Sequence, residues 1–130
     1  MEKLGLNSKL AGDMVSVQQR VTEALKAEGF GILSEIDMQS TLKSKIGVDF
    51  RPYKILGACN PRFAHRALNA APEIGLLLPC NVTLSEVAPN TVEVSLVDPL
   101  VMMQMIDNED IKQLADEVRE ALQRALDSLS

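Results

Sequence analysis

Residues 81–85 and 91–96 each alternate apolar with polar side chains. Val82 and Leu84 have one parity and Asn81, Thr83 and Ser85 the other. After Ala88-Pro89-Asn90, Val92, Val94 and Leu96 alternate with Thr91, Glu93 and Ser95. Period two on both sides of a turn signal specifies a β-hairpin with one apolar face and one hydroxyl-rich face. Such a hairpin belongs to an antiparallel sheet that is covered on one side only, so the remaining elements must supply the cover.

The covering elements are helical. Met14, Val17, Val21, Ala24 and Leu25 form one stripe, with Asp13 as N-cap and Gly29 just past the end, predicting a helix over 13–28. Phe30 to Ile36 alternates as a strand. Asp37 then caps a short helix carrying Met38, Leu42 and Ile46, ended by Gly47. Tyr53–Cys59 is short and apolar enough for a buried strand, and Asn60-Pro61 starts a helix over 61–71. In that helix Phe63, Ala64, Ala67, Leu68 and Ala71 share a face, opposite Arg62, His65, Arg66 and Asn69. Gly75–Val87 is expected as the longest strand. Asp98-Pro99 opens a short helix, and Asp107 or Asn108 caps a long one to about 128, with Ile111, Leu114, Val118, Leu122, Ala125 and Leu129 as its stripe. Residues 3–10 read as an edge strand. The expectation is an α+β chain, 1–130 forming a single domain, with helices on one face of a mostly antiparallel sheet.

Composition narrows the function classes. A chain of 130 residues with 46% hydrophobic and 24% charged residues is ordinary globular composition. The net charge of −5 has the wrong sign for a general nucleic-acid binder. No apolar run is long enough to span a bilayer, and the N-terminal residues lack an apolar signal core, so no membrane association and a cytoplasmic location are expected. Two cysteines are too few for a disulfide scaffold and fit a reducing compartment.

Candidate chemistry converges on two strand ends. Cys59 precedes a helix start, where orphan amides and the nearby Arg62 and Arg66 would favour a thiolate. Cys80 is expected to share a face with Leu76, Leu78, Val82 and Leu84, as a small buried hydrophobe would. The two lack CxxC spacing, so they could act together only if their strands are neighbours. Met102, Met103 and Met105 could add soft ligands for Cu(I), although methionines beside apolar helices more often fill a core. His65 falls on the polar helix face. Charge is also segregated: Lys43 to Arg66 holds six basic residues and one acid, Asp49, for a local +5. Asn60 and Arg62 at a helix start suit a small anion. No GxGxxG, Walker-type loop, GxSxG or HExxH is present, so the residues point to a binding protein rather than an enzyme.

Five stretches, Glu28-Gly29-Phe30-Gly31, Ile55 through Pro61, His65-Arg66-Ala67-Leu68, Ile74 through Val82 and Asp98-Pro99, make the chain resemble the bacterial and archaeal family called domain of unknown function 302. The resemblance spans roughly residues 13–128. It implies a TATA-box-binding-protein-like α+β fold that tends to dimerise, and brings no established reaction, cofactor or ligand. The resulting expectation is a homodimeric small-ligand or partner-binding module, with Cys59, Asn60, Arg62, Arg66, Cys80 and Asn81 at its site. The alternative is a thiol-redox or soft-metal-handling protein using Cys59 and Cys80. In a third reading, the polar hairpin face meets a protein partner.

Overall fold

In the computed structural model, which describes residues 3–129, the hairpin is the middle of a five-stranded sheet. The strands are β1 (Gly5–Ala11), β2 (Gly31–Asp37), β3 (Tyr53–Cys59), β4 (Cys80–Ala88) and β5 (Thr91–Val97). Their order across the sheet is β1-β5-β4-β3-β2, and every neighbouring pair is antiparallel. The register pairs Val82 with Leu96 and Leu84 with Val94, so the apolar sets of both hairpin strands fall on one face. Leu6 and Leu10 of β1 and Leu56 and Ala58 of β3 extend that face, all of them buried. The turn works because Asn90 takes a left-handed conformation (φ 59°), which asparagine tolerates better than most residues.

Three helices cover the apolar face: α1 (Met14–Ala27), α3 (Pro61–Ala70) and α5 (Glu109–Asp127). Their caps follow from the sequence. The Asp13 carboxylate accepts from Ser16 N–H at 2.8 Å and the Asn108 side chain from Ile111 N–H at 3.1 Å. Val17, Val21 and Leu25 of α1 share one buried cluster with Ile111, Leu122 and Ala125 of α5 above the sheet. Each aliphatic side chain fully buried there contributes roughly 1.5–3 kcal/mol. The α+β expectation therefore holds, and the arrangement is compatible with the TATA-box-binding-protein-like class. No described helix is long and apolar enough to cross a membrane.

Two elements depart from the sequence reading. Gly75–Val87 is not one strand: Pro72–Leu77 forms a 3₁₀ turn, Leu78-Pro79 is a cis peptide, and β4 begins only at Cys80. Pro79 has no N–H for a ladder, and Pro72 suits a first helical turn. The apolar run is split accordingly: Ile74 is buried while Leu76 is 83% exposed. Leu68 is likewise exposed rather than part of the buried stripe of α3. Helix α2 (Met38–Ile46), capped by Asp37 and closed by Gly47 in a left-handed conformation (φ 70°), buries no residue. A second short helix, α4 (Pro99–Met102), is capped by Asp98 as expected.

Candidate functional site

The route from β3 into α3 is set by Asn60. Its Oδ1 accepts the amides of Arg62 (3.1 Å) and Phe63 (3.4 Å), and its Nδ2 donates to the Glu28 carbonyl at 3.2 Å. One side chain thus caps α3 and ties its start to the end of α1. Gly29 permits this approach: its φ is +87°, and a Cβ there would stand 2.8 Å from Asn60 Nδ2. The amides expected to favour a Cys59 thiolate are therefore turned toward Asn60.

Beneath this junction lies a small pocket of about 40 Å³. Phe30, Phe63 and Ala67 form one part of its lining, Leu78, Pro79 and Cys80 another, and Met103, Leu114 and Val118 a third. Cys59 and Asn60 border it where β3 passes into α3. Phe30 and Phe63 lie 6.2 Å apart, tilted by 46°. Apart from Asn60 and the two thiols, every lining side chain is hydrocarbon or thioether.

The six site residues expected from sequence divide between this pocket and other surfaces. Cys59, Asn60 and Cys80 border the pocket. Arg62 is exposed on the first turn of α3, between the lining residues Asn60 and Phe63, and forms no ion pair among the described residues. Arg66 does not join them. Its guanidinium is held by both carboxylate oxygens of Glu117 at 3.0 and 2.7 Å, which raises the arginine pKa and lowers that of the glutamate. Asn81 does not join them either. One residue beyond Cys80, strand alternation turns it to the open sheet face, where it lines a shallow groove with Asn7, Tyr53, Thr83 and Ser95. Nor does Cys80 share a strand face with Leu76, because Leu76 precedes the strand.

Both cysteines are free thiols. Cys80 is paired across the ladder with Ala58, so Cys59 is displaced by one residue and has the opposite strand parity. Burial pushes the Cys80 thiol up to about 11, and the charge of a Cys59 thiolate would push the same way. At neutral pH Cys80 is a protonated, weakly polar part of the pocket wall. Among the described residues, no group of three or more His, Cys, Asp or Glu is placed to hold a metal ion. Met102 and Met103 are half-buried against the core, while Met105 is 77% exposed.

The high Cys80 pKa has a stability consequence. Because the folded value lies above the ordinary 9.0, its contribution is fully present below about pH 9 and is lost as pH rises toward 11. Comparing denaturant unfolding of wild type and Cys80→Ala at pH 8 and pH 11 isolates this group from the lysines and tyrosine. Wild type should lose about 2 kcal/mol more than the variant over that interval. Equal losses would mean that the thiol ionises without cost.

Sequence reasoning missed the apolar walls of the pocket, reading Phe63, Leu114 and Val118 only as core stripe. The available signal was the small residues Ala64, Ala67 and Ala115, which leave room where larger side chains would close the gap between α3 and α5.

The fold and site define a class: a two-layer α+β protein with one helix-covered sheet face and a thiol-bordered apolar pocket between sheet and helices. Residues 6–129 match the family described as domain of unknown function DUF302, and the chain belongs to that family. Among solved structures, it is similar to the uncharacterized conserved protein DUF302 from Bacillus stearothermophilus, at 28% sequence identity and a TM-score of 0.90. That similarity covers 99% of this chain and 100% of the other. No curated protein matches the chain.

Proposed function

We propose that this protein is a small-ligand-binding module whose site is the pocket at the Cys59 and Cys80 strand ends. The observation carrying this reading is the pocket itself: a gap lined by aromatic, aliphatic and sulfur side chains where helix and sheet would otherwise close. Catalysis is not part of the proposal, because the pocket brings together no nucleophile and base. The thiol-redox and metal alternative is weaker on physical grounds: the two cysteines have opposite strand parity, and Cys80 holds its proton.

Xenon is the probe that tests the pocket, since a single apolar atom suits so small a space and dry apolar cavities bind it without polar contacts. Titrated into labelled protein, it should shift the methyl resonances of Ala67, Leu114 and Val118 and leave those of Val15 on α1 unmoved. Ala64→Leu, which fills the pocket from a half-buried helical position, should abolish those shifts while preserving folding. Wild-type spectra unchanged under saturating xenon pressure would defeat the reading.

The expected homodimer belongs to the same proposal. Its support is a run of exposed apolar side chains along the β2–α2 side: Leu33 at 70%, Ile36 at 45%, Ile46 at 67% and Phe50 at 39%. β2 is also an edge strand without a lysine or proline to block pairing. Leu33→Glu should leave thermal stability within about 0.5 kcal/mol, as surface substitutions do, and convert a dimer to a monomer by light scattering. A variant that remains dimeric would place the contact elsewhere.

A further inference from the structure

We infer a second binding site, separate from the pocket: the groove on the open face of the sheet, with an uncharged sugar as its ligand. Strand register builds this groove. Asn7, Ser95 and Thr83 stand side by side across β1, β5 and β4, and Gly5 is paired with Val97 in the next row of the same face. These small residues make a recessed floor. Tyr53 of β3 borders it on one side and Leu4, 61% exposed just ahead of β1, on the other. From β3 to β1 is three strand spacings, roughly 14 Å. The groove between them holds about 560 Å³, a space suited to one or two sugar rings rather than to a flat protein surface.

The ligand class follows from the hydrogen-bonding groups. Asn7 Nδ2 donates to Ser95 Oγ, whereas the side chains of Tyr53, Asn81 and Thr83 make no hydrogen bond among the described residues. Each of these three can both donate and accept. Adjacent ligand hydroxyls answer them in either sense, whereas a phosphate or carboxylate only accepts and an ammonium only donates. Charge points the same way. Lys3 is the one charged residue of the lining, so an ionic ligand would give up hydration along a groove that is otherwise uncharged. A hydrocarbon fits no better, because it would cover the polar floor without satisfying it. Leu4, Val97 and the Tyr53 ring supply apolar surface beside that floor, matching the C–H face of a sugar ring as the hydroxyl groups match its edge.

The test is a titration of the labelled full chain with the methyl glycosides of glucose, galactose and mannose, and with maltose and cellobiose, followed by amide resonances. At least one of these sugars should shift the side-chain amides of Asn7 and Asn81 and the backbone amides of Thr83 and Ser95. Asn81→Ala should weaken that sugar about fivefold, the effect of one hydrogen bond. Thr83→Arg, which fills the floor from the open face, should abolish the shifts while the methyl resonances of Ala67 and Val118 in the core keep their positions. Glucuronate and glucosamine, the charged counterparts, should bind more weakly than the neutral glucoside. If none of the five sugars moves the groove resonances, or if binding is indifferent to both variants, the site is overturned. Tighter binding of glucuronate would make Lys3 the determinant and overturn the uncharged assignment. The pocket reading stands or falls separately, on xenon.

Discussion

Gly57→Ala should destabilise the protein by about 3 kcal/mol and lower its melting temperature by about 10 °C. Gly57 is buried in the middle of β3, paired with Ser34 of β2 and Asn81 of β4. A Cβ there would collide with the Ser34 hydroxyl and stand 2.7 Å from Pro79 Cγ and 3.5 Å from Pro79 Cβ. These neighbours differ in how far they can give. Ser34 is exposed and its hydroxyl can rotate away. Pro79 is a rigid ring wedged between the 3₁₀ turn and β4, and its displacement would carry along Leu78 and Cys80 of the pocket wall. Adding Ser34→Ala should therefore recover only a small part of the loss. Thermal and denaturant unfolding read both variants directly. A Gly57→Ala protein within 0.5 kcal/mol of wild type would show that the Pro79 segment yields freely.

Asn60→Ala should cost about 2 kcal/mol, in two separable parts. About half is the lost N-cap of α3, and about half the lost hydrogen bond to Glu28. Asn60→Asp separates them. The carboxylate still accepts from the first-turn amides and suits the positive end of the helix, but it has no proton for the Glu28 carbonyl at 3.2 Å. The expected order of stability is wild type, then Asn60→Asp about 1 kcal/mol lower, then Asn60→Ala. Should Asn60→Asp match wild type, the tie between α1 and α3 contributes nothing and the cap alone matters. Arg124 strengthens the same corner by pairing with the Glu28 carboxylate at 2.9 Å. The junction beside the pocket thus draws on three distant parts of the chain.

These two positions show what kind of information was local. Asn60-Pro61 declares a helix start because an N-cap and a fixed φ act within one turn, and the structure has that cap. The same holds for Asp13, Asp37, Asp98 and Asn108, each of which caps the helix that follows it. Alternation placed Val82, Leu84, Val92, Val94 and Leu96 on one buried face, since period two is a property of the extended backbone itself. The error at Gly75–Val87 arose where local signals conflicted. An apolar run suggested a strand, while Pro72 just before it and Pro79 within it set a 3₁₀ turn and a late strand start.

The candidate site was legible only in part. Cys59, Asn60 and Cys80 were found because strand ends and helix starts can be read along the chain. Arg66 and Asn81 went astray because their partners are remote: Glu117 lies 51 residues from Arg66, and Asn81 faces Asn7 and Ser95 across the open sheet. Capping, parity and turn chemistry are interactions among near neighbours, so the sequence by itself determined the elements, the apolar face and the α+β class. Which arginine is neutralised, where alanines on α3 and α5 leave a gap, and that Pro79 closes over Gly57 depend on contacts between residues far apart in the chain. Only the tertiary structure decided those, because packing brings such groups together by filling space rather than by following any period in the sequence.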